Sequence, residues 1–157
     1  MMKDQAIIRE MGKVLWSIFP TDGARIEFKA QLYDRSNQCG PEWFDGNGKR
    51  LGPQSFDDYP DEANDELRSL ALELQRTPPF DRQPFTHMLY ELTSDGKVNL
   101  EFACIPEWDS WPGLFMKGVS ELTEAEARDP AISNTWGIDY EHWEKCRARR
   151  QLEPYEK

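Results

Sequence analysis

The chain has 157 residues, a length that predicts a single domain over 1–157 and excludes a long multidomain enzyme. Hydrophobic residues make up 38% of it and aromatic residues 12%, so we expect a folded core rather than a disordered acidic tail. The 29 acidic residues outnumber the 19 basic ones, and the formal net charge of −10 argues against nucleic acid or an anionic membrane as the partner.

The first half of the chain predicts one helix and a run of strands. Apolar residues between Asp4 and Phe19 recur with a period of 3.6 residues and predict an amphipathic helix. Strict alternation over Arg25–Gln31 predicts a half-buried strand. The segments Glu42–Phe44 and Lys49–Leu51 flank a glycine-rich turn and predict a hairpin. The apolar positions are Ile7, Ile8, Met11, Val14, Leu15 and Ile18 in the helix, and Ile26, Phe28, Ala30 and Leu32 in the strand.

The second half predicts a middle helix, a hairpin and a closing helix. Apolar residues at helical spacing between Pro60 and Arg76 predict the middle helix. The segments Thr86–Leu92 and Val98–Ile105 flank Ser94-Asp95-Gly96 and predict a hairpin. A capping box is indicated at Thr123–Glu126, and Tyr140–Leu152 predicts the last helix. The alternation places Val98, Leu100, Phe102 and Cys104 on the apolar face of the second hairpin strand.

This order of elements predicts an α+β fold. We expect an antiparallel sheet of about four to five strands, with the N-terminal, middle and C-terminal helices packed on it. Residues 106–157 form its loop-rich and helical C-terminal part.

The sequence offers no motif for a metal, a cofactor or a catalytic nucleophile. Three widely spaced cysteines lack a C-x-x-C pair, and Cys104 is interpreted as a small core residue. His87 and His142 each lack a second ligand at a metal-binding spacing. The N-terminus shows no signal peptide and no apolar run reaches the roughly 18 residues of a membrane span, so we expect a cytoplasmic protein.

The negative charge is concentrated in one region of the chain. Residues 57–129 contain 17 acidic and 6 basic side chains. Carboxylates at a helix start can cap free amides and oppose the helix dipole. However, one or two would suffice for that, so the excess also suggests a surface that attracts a basic protein. The densest part of this region is Asp57, Asp58, Asp61, Glu62, Asp65 and Glu66.

A cluster of tryptophans and acids follows the second hairpin. It contains Trp108, Asp109 and Trp111, and its simplest interpretation is a loop anchored in the core. Alternatively, rigid aromatic side chains bordered by charge are typical of interface hot spots against Arg or Lys.

The segment Phe85–Phe102, with its Ser94-Asp95-Gly96-Lys97 turn, resembles the YezG-like immunity proteins of bacterial polymorphic toxin systems. The resemblance covers about residues 3–105 and includes the leading helix ending in Ile18-Phe19-Pro20, the strand from Arg25, the Phe44–Lys49 turn and the Leu67–Gln75 helix. It implies a small cytoplasmic protein that binds one cognate toxin and blocks its active site or substrate access. It carries over no catalytic residue and no cofactor.

The residues suit that implied function, and two alternatives stay open. The toxin would be a basic nuclease, attracted by the six carboxylates and anchored by Trp108 and Trp111. Asp109, between the two tryptophans, is included among the predicted toxin-binding residues. One alternative is an acidic chaperone or adaptor for a secreted effector. The other is an enzyme that uses carboxylates, with or without a divalent metal.

Overall fold

The fold is α+β, as predicted, and its centre is one five-stranded antiparallel sheet in the order β3-β2-β1-β4-β5. This computed structural model describes residues 3–111 and 114–155. The strands are β1 (Arg25–Leu32), β2 (Asn37–Phe44), β3 (Arg50–Gly52), β4 (His87–Thr93) and β5 (Val98–Ala103). The helices are α1 (Asp4–Ser17), α2 (Asp61–Gln75), α3 (Glu124–Ala127), α4 (Pro130–Trp136) and α5 (Tyr140–Leu152).

The chain divides into two compact units. The first extends to Phe102 and holds the sheet with α1 and α2, and the second begins at Ala103. The predicted loop-rich part, 106–157, therefore corresponds closely to the second unit. Within the second unit, α5 packs against the 3-10 helix Val119–Glu121.

The core of the first unit follows the predicted periodicities. The alternating side chains of β1 at Ile26, Phe28, Ala30 and Leu32 are all buried. Helix α1 packs on β4 and α2, and α2 packs on β1 and β2. Each large apolar side chain removed from water in this layer contributes about 1.5–3 kcal/mol to folding. The helix side chains in this core are Ile7, Met11, Val14 and Leu15 of α1 and Leu67, Leu70, Ala71 and Leu74 of α2.

The first predicted hairpin is confirmed, but its leading strand is longer than the sequence indicated. Strand β2 pairs with β1 from Asn37 to Phe44, while β3 covers only its last two residues. Pro41 therefore lies where β2 has one neighbouring strand, the place where a proline's missing N–H is tolerated. The turn is closed by the Asp45 carboxylate, which accepts backbone N–H groups from Asn47 at 2.8 Å and Lys49 at 2.9 Å.

The second hairpin is also present, although the prediction for its apolar face is wrong at Val98. That side chain is 47% exposed, and Leu100 and Phe102 are half-buried. Strand β5 is the edge of the sheet, so fewer neighbours cover its side chains. Cys104 lies beyond the end of β5 and is half-buried, so it is not the core residue that the alternation predicted.

The second unit has its own hydrophobic core. Trp143 and Cys146 from α5 are buried in it, and the Trp143 indole donates a hydrogen bond to the Leu122 carbonyl at 2.9 Å. The predicted capping box is confirmed: Thr123 Oγ1 accepts the Glu126 N–H at 3.1 Å, and the Glu126 carboxylate accepts the Thr123 N–H at 2.9 Å. The remaining core residues are Leu114, Val119, Leu122, Ala127 and Ile138.

Candidate functional site

The six predicted carboxylates lie along one end of α2 and all are exposed. Asp57 and Asp58 precede the helix, Asp61 and Glu62 belong to its first turn, and Asp65 and Glu66 come one turn later. The structure therefore brings together the acidic residues that the sequence singled out.

Capping does not explain this cluster. The N-cap position of α2 is occupied by Pro60, which provides no side-chain hydrogen bond, and the Asp61 N–H is bonded to the Tyr59 carbonyl at 3.0 Å. Asp61 and Glu62 still interact favourably with the helix dipole because they lie in its first turn. The other four carboxylates need a different explanation.

Two of those four have local structural partners. The Asp58 carboxylate accepts backbone N–H groups from Gln54 at 2.8 Å and Ser55 at 2.7 Å, and these bonds lower its pKa. Asp65 pairs with Arg68 at 3.2 Å. The carboxylates of Asp57 and Glu66, like those of Asp61 and Glu62, form no ion pair within residues 3–111 and 114–155.

A cleft of about 620 Å³ opens beside these unpaired carboxylates. The last turns of α1 line one side of it with Val14, Ser17 and Ile18. Tyr59 and the first turns of α2 line the other side, including Asp61, Glu62 and Glu66. Apolar and acidic groups thus share one opening, which we call the acidic cleft. Such a mixture suits the aliphatic stem and charged end of a lysine or arginine side chain.

The end of α1 adds to the negative potential of the acidic cleft. The last turn of α1 contains no basic side chain, so nothing on it neutralises the partial negative charge at a helix C-terminus. Burial of the Tyr59 side chain raises its pKa, and the negative charges of Asp61 and Asp65 act in the same direction. The phenol therefore stays neutral. The partial negative charge at this end of α1 favours a cationic ligand over an anionic one.

A polar contact layer that the sequence did not reveal attaches this end of α2 to the sheet. Asn64 is 5% exposed; its amide donates to the Cys39 carbonyl at 3.4 Å and its oxygen accepts from the Cys39 thiol at 3.6 Å. The Tyr59 phenol donates to the same carbonyl at 3.5 Å. A Cβ at Gly40 would lie 2.8 Å from the Tyr59 oxygen, so a side chain there would displace the phenol from this contact. Asn64 could have been noticed, because it shares the spacing of the buried residues Leu67 and Ala71.

The second group of predicted binding residues belongs to the second unit. Asp109 is fully buried and accepts hydrogen bonds from the Ser120 N–H at 2.9 Å and the Ser120 hydroxyl at 2.5 Å. A carboxylate with no exposed surface cannot contact a partner directly. Asp109 is therefore a structural residue of the second unit and not a contact residue, contrary to the prediction.

Trp108 and Trp111 are partly buried against the core of the second unit. The Trp111 indole donates to the Trp136 carbonyl, and its ring lies 5.0 Å from the His142 ring. The Arg149 guanidinium lies 4.6 Å from the centre of the Trp108 ring. These contacts support the interpretation of a loop anchored in the core.

One cysteine and one histidine in the second unit are close enough to resemble a catalytic pair. Cys146 Sγ lies 3.8 Å from His142 Nε2. Burial and the neighbouring Asp109 raise the pKa of the Cys146 thiol to about 11, so the reactive thiolate is disfavoured. The side chain is only 5% exposed. This pair lacks both the ionisation and the access that a nucleophile needs.

The described residues also show no arrangement for a metal ion or a membrane span. Across residues 3–111 and 114–155, no group of three or more His, Cys, Asp or Glu side chains is arranged to hold a metal. In the same part of the chain, no helix combines the length and apolarity needed to cross a bilayer.

No model of a protein family matches the chain, and no curated protein matches it significantly.

Proposed function

We propose that this protein is a cytoplasmic immunity protein of a bacterial polymorphic toxin or contact-dependent growth inhibition system. It binds a basic toxin domain of nuclease type and neutralises it by covering the active site or the path of the substrate. The observation that carries the proposal is the acidic cleft, with the exposed and unpaired carboxylates of Asp61, Glu62 and Glu66 on one side. The resemblance of the Phe85–Phe102 hairpin to YezG-like immunity proteins supports the same function.

The chemistry of the acidic cleft indicates how it would act. A nuclease that binds nucleic acid presents lysine and arginine side chains to phosphates. The carboxylates offer those side chains an alternative anionic surface, and long-range attraction accelerates the encounter. Apolar groups at Val14 and Ile18 can receive the aliphatic stems once the proteins have met.

The first experiment is co-expression with the C-terminal domain of any large protein encoded immediately upstream. Rescue of growth, together with a stable complex that co-purifies, would identify the toxin and support immunity. A toxic domain that is not rescued would contradict the proposal for that pair. Binding to an unfolded or extended effector segment, without inhibition of a folded domain, would instead favour the chaperone or adaptor alternative.

The acidic cleft can be tested within that complex by a pair of matched variants. The first carries Asp61→Asn, Glu62→Gln and Glu66→Gln, and the control carries Asp34→Asn, Glu101→Gln and Glu144→Gln, which are also exposed. Both variants change the net charge equally. We expect the first to slow association at low salt by at least about tenfold more than the control, with the difference fading at high salt. Equal association rates would show that only net charge matters and would contradict the role of the acidic cleft.

A further inference from the structure

A second surface, which is apolar and differs in chemistry from the acidic cleft, lies between α1 and the β4–β5 hairpin. It is a groove of about 610 Å³ lined by Gly12 and Trp16 of α1 and by Tyr90, Leu92 and Val98 of the hairpin. Trp16 is 53% exposed and Val98 is 47% exposed. Adjoining exposed apolar side chains of this size mark docking surfaces more often than solitary ones do.

The floor of this apolar groove is already formed in the free chain. The Tyr90 phenol donates a hydrogen bond to the Ile8 carbonyl at 2.8 Å, which fixes the ring beneath α1. A Cβ at Gly12 would lie 2.7 Å from the Tyr90 oxygen, so the missing side chain at Gly12 keeps both the contact and the groove. The groove is therefore preformed, and little conformational entropy is lost when a ligand binds in it.

The rim of the apolar groove is basic in an otherwise acidic protein. Arg9 and Lys13 lie one turn apart on α1, and both line the groove. Lys13 is paired with Glu10 at 3.0 Å, whereas Arg9 has no ion pair within the described residues. The groove therefore favours an apolar side chain that is followed closely by a carboxylate.

The chain itself presents such a segment. Phe56 is 98% exposed, the most exposed of the large hydrophobic residues described, and it is followed by the exposed and unpaired Asp57. The turn that holds it is fixed, because the Asp58 carboxylate accepts the N–H groups of Gln54 and Ser55 at 2.8 and 2.7 Å. The Phe56 side chain is thus exposed to solvent and does not line the apolar groove of its own chain.

We propose that Phe56 of one copy binds in the apolar groove of a second copy, with Asp57 beside Arg9, and that the contact is made twice in a symmetric dimer. Closed two-fold dimers are the commonest homo-oligomers, and a reciprocal contact leaves no groove open for further growth. A phenylalanine buries about 150–250 Å² of surface, so two such contacts fall well below the roughly 1,200–2,000 Å² of stable interfaces. The dimer is therefore weak and needs a high protein concentration to form.

The test is sedimentation equilibrium of the full chain from about 10 μM to 1 mM. We expect a monomer–dimer equilibrium that Phe56→Ser weakens at least tenfold, because the substitution removes the apolar anchor from both contacts. Phe56 is almost fully exposed, so the variant keeps its fold. Leu152→Ser is the matched control: that side chain is 84% exposed, and its loss should leave the equilibrium unchanged.

A charge exchange identifies the partner groups. Arg9→Glu and Asp57→Lys should each weaken the dimer, and the double variant should recover it because opposite charges face each other again. A wild-type chain that stays monomeric up to about 1 mM would overturn the proposal. So would a dimer unaffected by Phe56→Ser, a double variant no stronger than either single one, or growth into species larger than a dimer. The proposal is independent of the immunity function, since it needs no toxin.

Discussion

Tyr155, three residues beyond the end of α5, donates a hydrogen bond from its phenol to the buried carboxylate of Asp109. Burial and that carboxylate raise the pKa of Tyr155 well above its ordinary value, so the phenol remains a donor throughout the physiological range. The Arg150 guanidinium lies 3.9 Å from the centre of the Tyr155 ring. Asp109 therefore connects the last described residue of the chain to Ser120 and to the loop after β5.

This network predicts a large loss of stability for Asp109→Ala. The substitution leaves the Ser120 N–H and hydroxyl and the Tyr155 phenol without their acceptor, and we expect the free energy of unfolding to fall by about 2–4 kcal/mol. Urea unfolding followed by tryptophan fluorescence measures the change. Glu144→Ala, at an exposed position on α5, is the control and should change stability by less than about 0.5 kcal/mol. Equal stabilities of the two variants would contradict the structural role of Asp109.

The burial of Asp109 illustrates what sequence patterns can and cannot predict here. The helix α1, the strand β1 and the capping box at Thr123 each depend on neighbours a few residues away, so local periodicity was sufficient to predict them. Asp109 is buried because Ser120 and Tyr155, 11 and 46 residues away, complete its hydrogen bonds. No local pattern contains that information.

The candidate site shows the same division. The run of carboxylates near α2 was visible in the sequence, whereas the cleft beside them depends on Val14 and Ile18 at the end of another helix. The missed first half of β2 and the helix α4 lack clear periodicity. Val98 has the right alternation but lies on an edge strand, where the pattern specifies a face without ensuring that other elements cover it.

Because Gly12 lies so close to Tyr90, substitutions at the two positions should have non-additive effects on stability. Gly12→Ala favours helix α1 by about 0.5–1 kcal/mol, but its Cβ would lie 2.7 Å from the Tyr90 oxygen. We expect the single variant to be destabilised. Adding Tyr90→Phe removes the obstructing oxygen and should restore part of the loss, whereas Tyr90→Phe alone costs about 1 kcal/mol because it removes the hydrogen bond that the phenol donates to the Ile8 carbonyl. A double-mutant cycle by urea unfolding measures the coupling, and additive effects would contradict the close approach.

The burial of His87 should lower the free energy of unfolding in mild acid. Its side chain is fully buried, and burial lowers its pKa from 6.5 to about 4. Between those two values the unfolded chain binds a proton that the folded chain does not, so stability falls as the pH falls and the loss is complete near pH 4. Lowering the pKa from 6.5 to about 4 corresponds to a loss of up to about 3 kcal/mol.

The measurement compares wild type with His87→Asn by urea unfolding at several pH values between about 7 and 4. The variant lacks this titration, so any stability advantage of the wild type should shrink by up to about 3 kcal/mol as the pH falls through that range. A difference between the two proteins that stays constant with pH would contradict the lowered pKa of His87. The carboxylates titrate in both proteins, so their contributions to the pH dependence cancel in the comparison.

The acidic cleft predicts that Glu66 contributes to partner binding and not to folding. Glu62 and Glu66 are four residues apart on α2, a spacing at which like charges destabilise a helix by about 0.2–0.5 kcal/mol. Glu66→Gln removes that repulsion and has no ion pair to break among the described residues, so the free energy of unfolding should stay constant or rise slightly. Asp61→Asn is the matched comparison: it lies in the first turn and should lose about 0.3–1 kcal/mol of dipole stabilisation. If Glu66→Gln instead lowers stability by more than about 1 kcal/mol, the residue has a structural role and its presence no longer supports a binding surface.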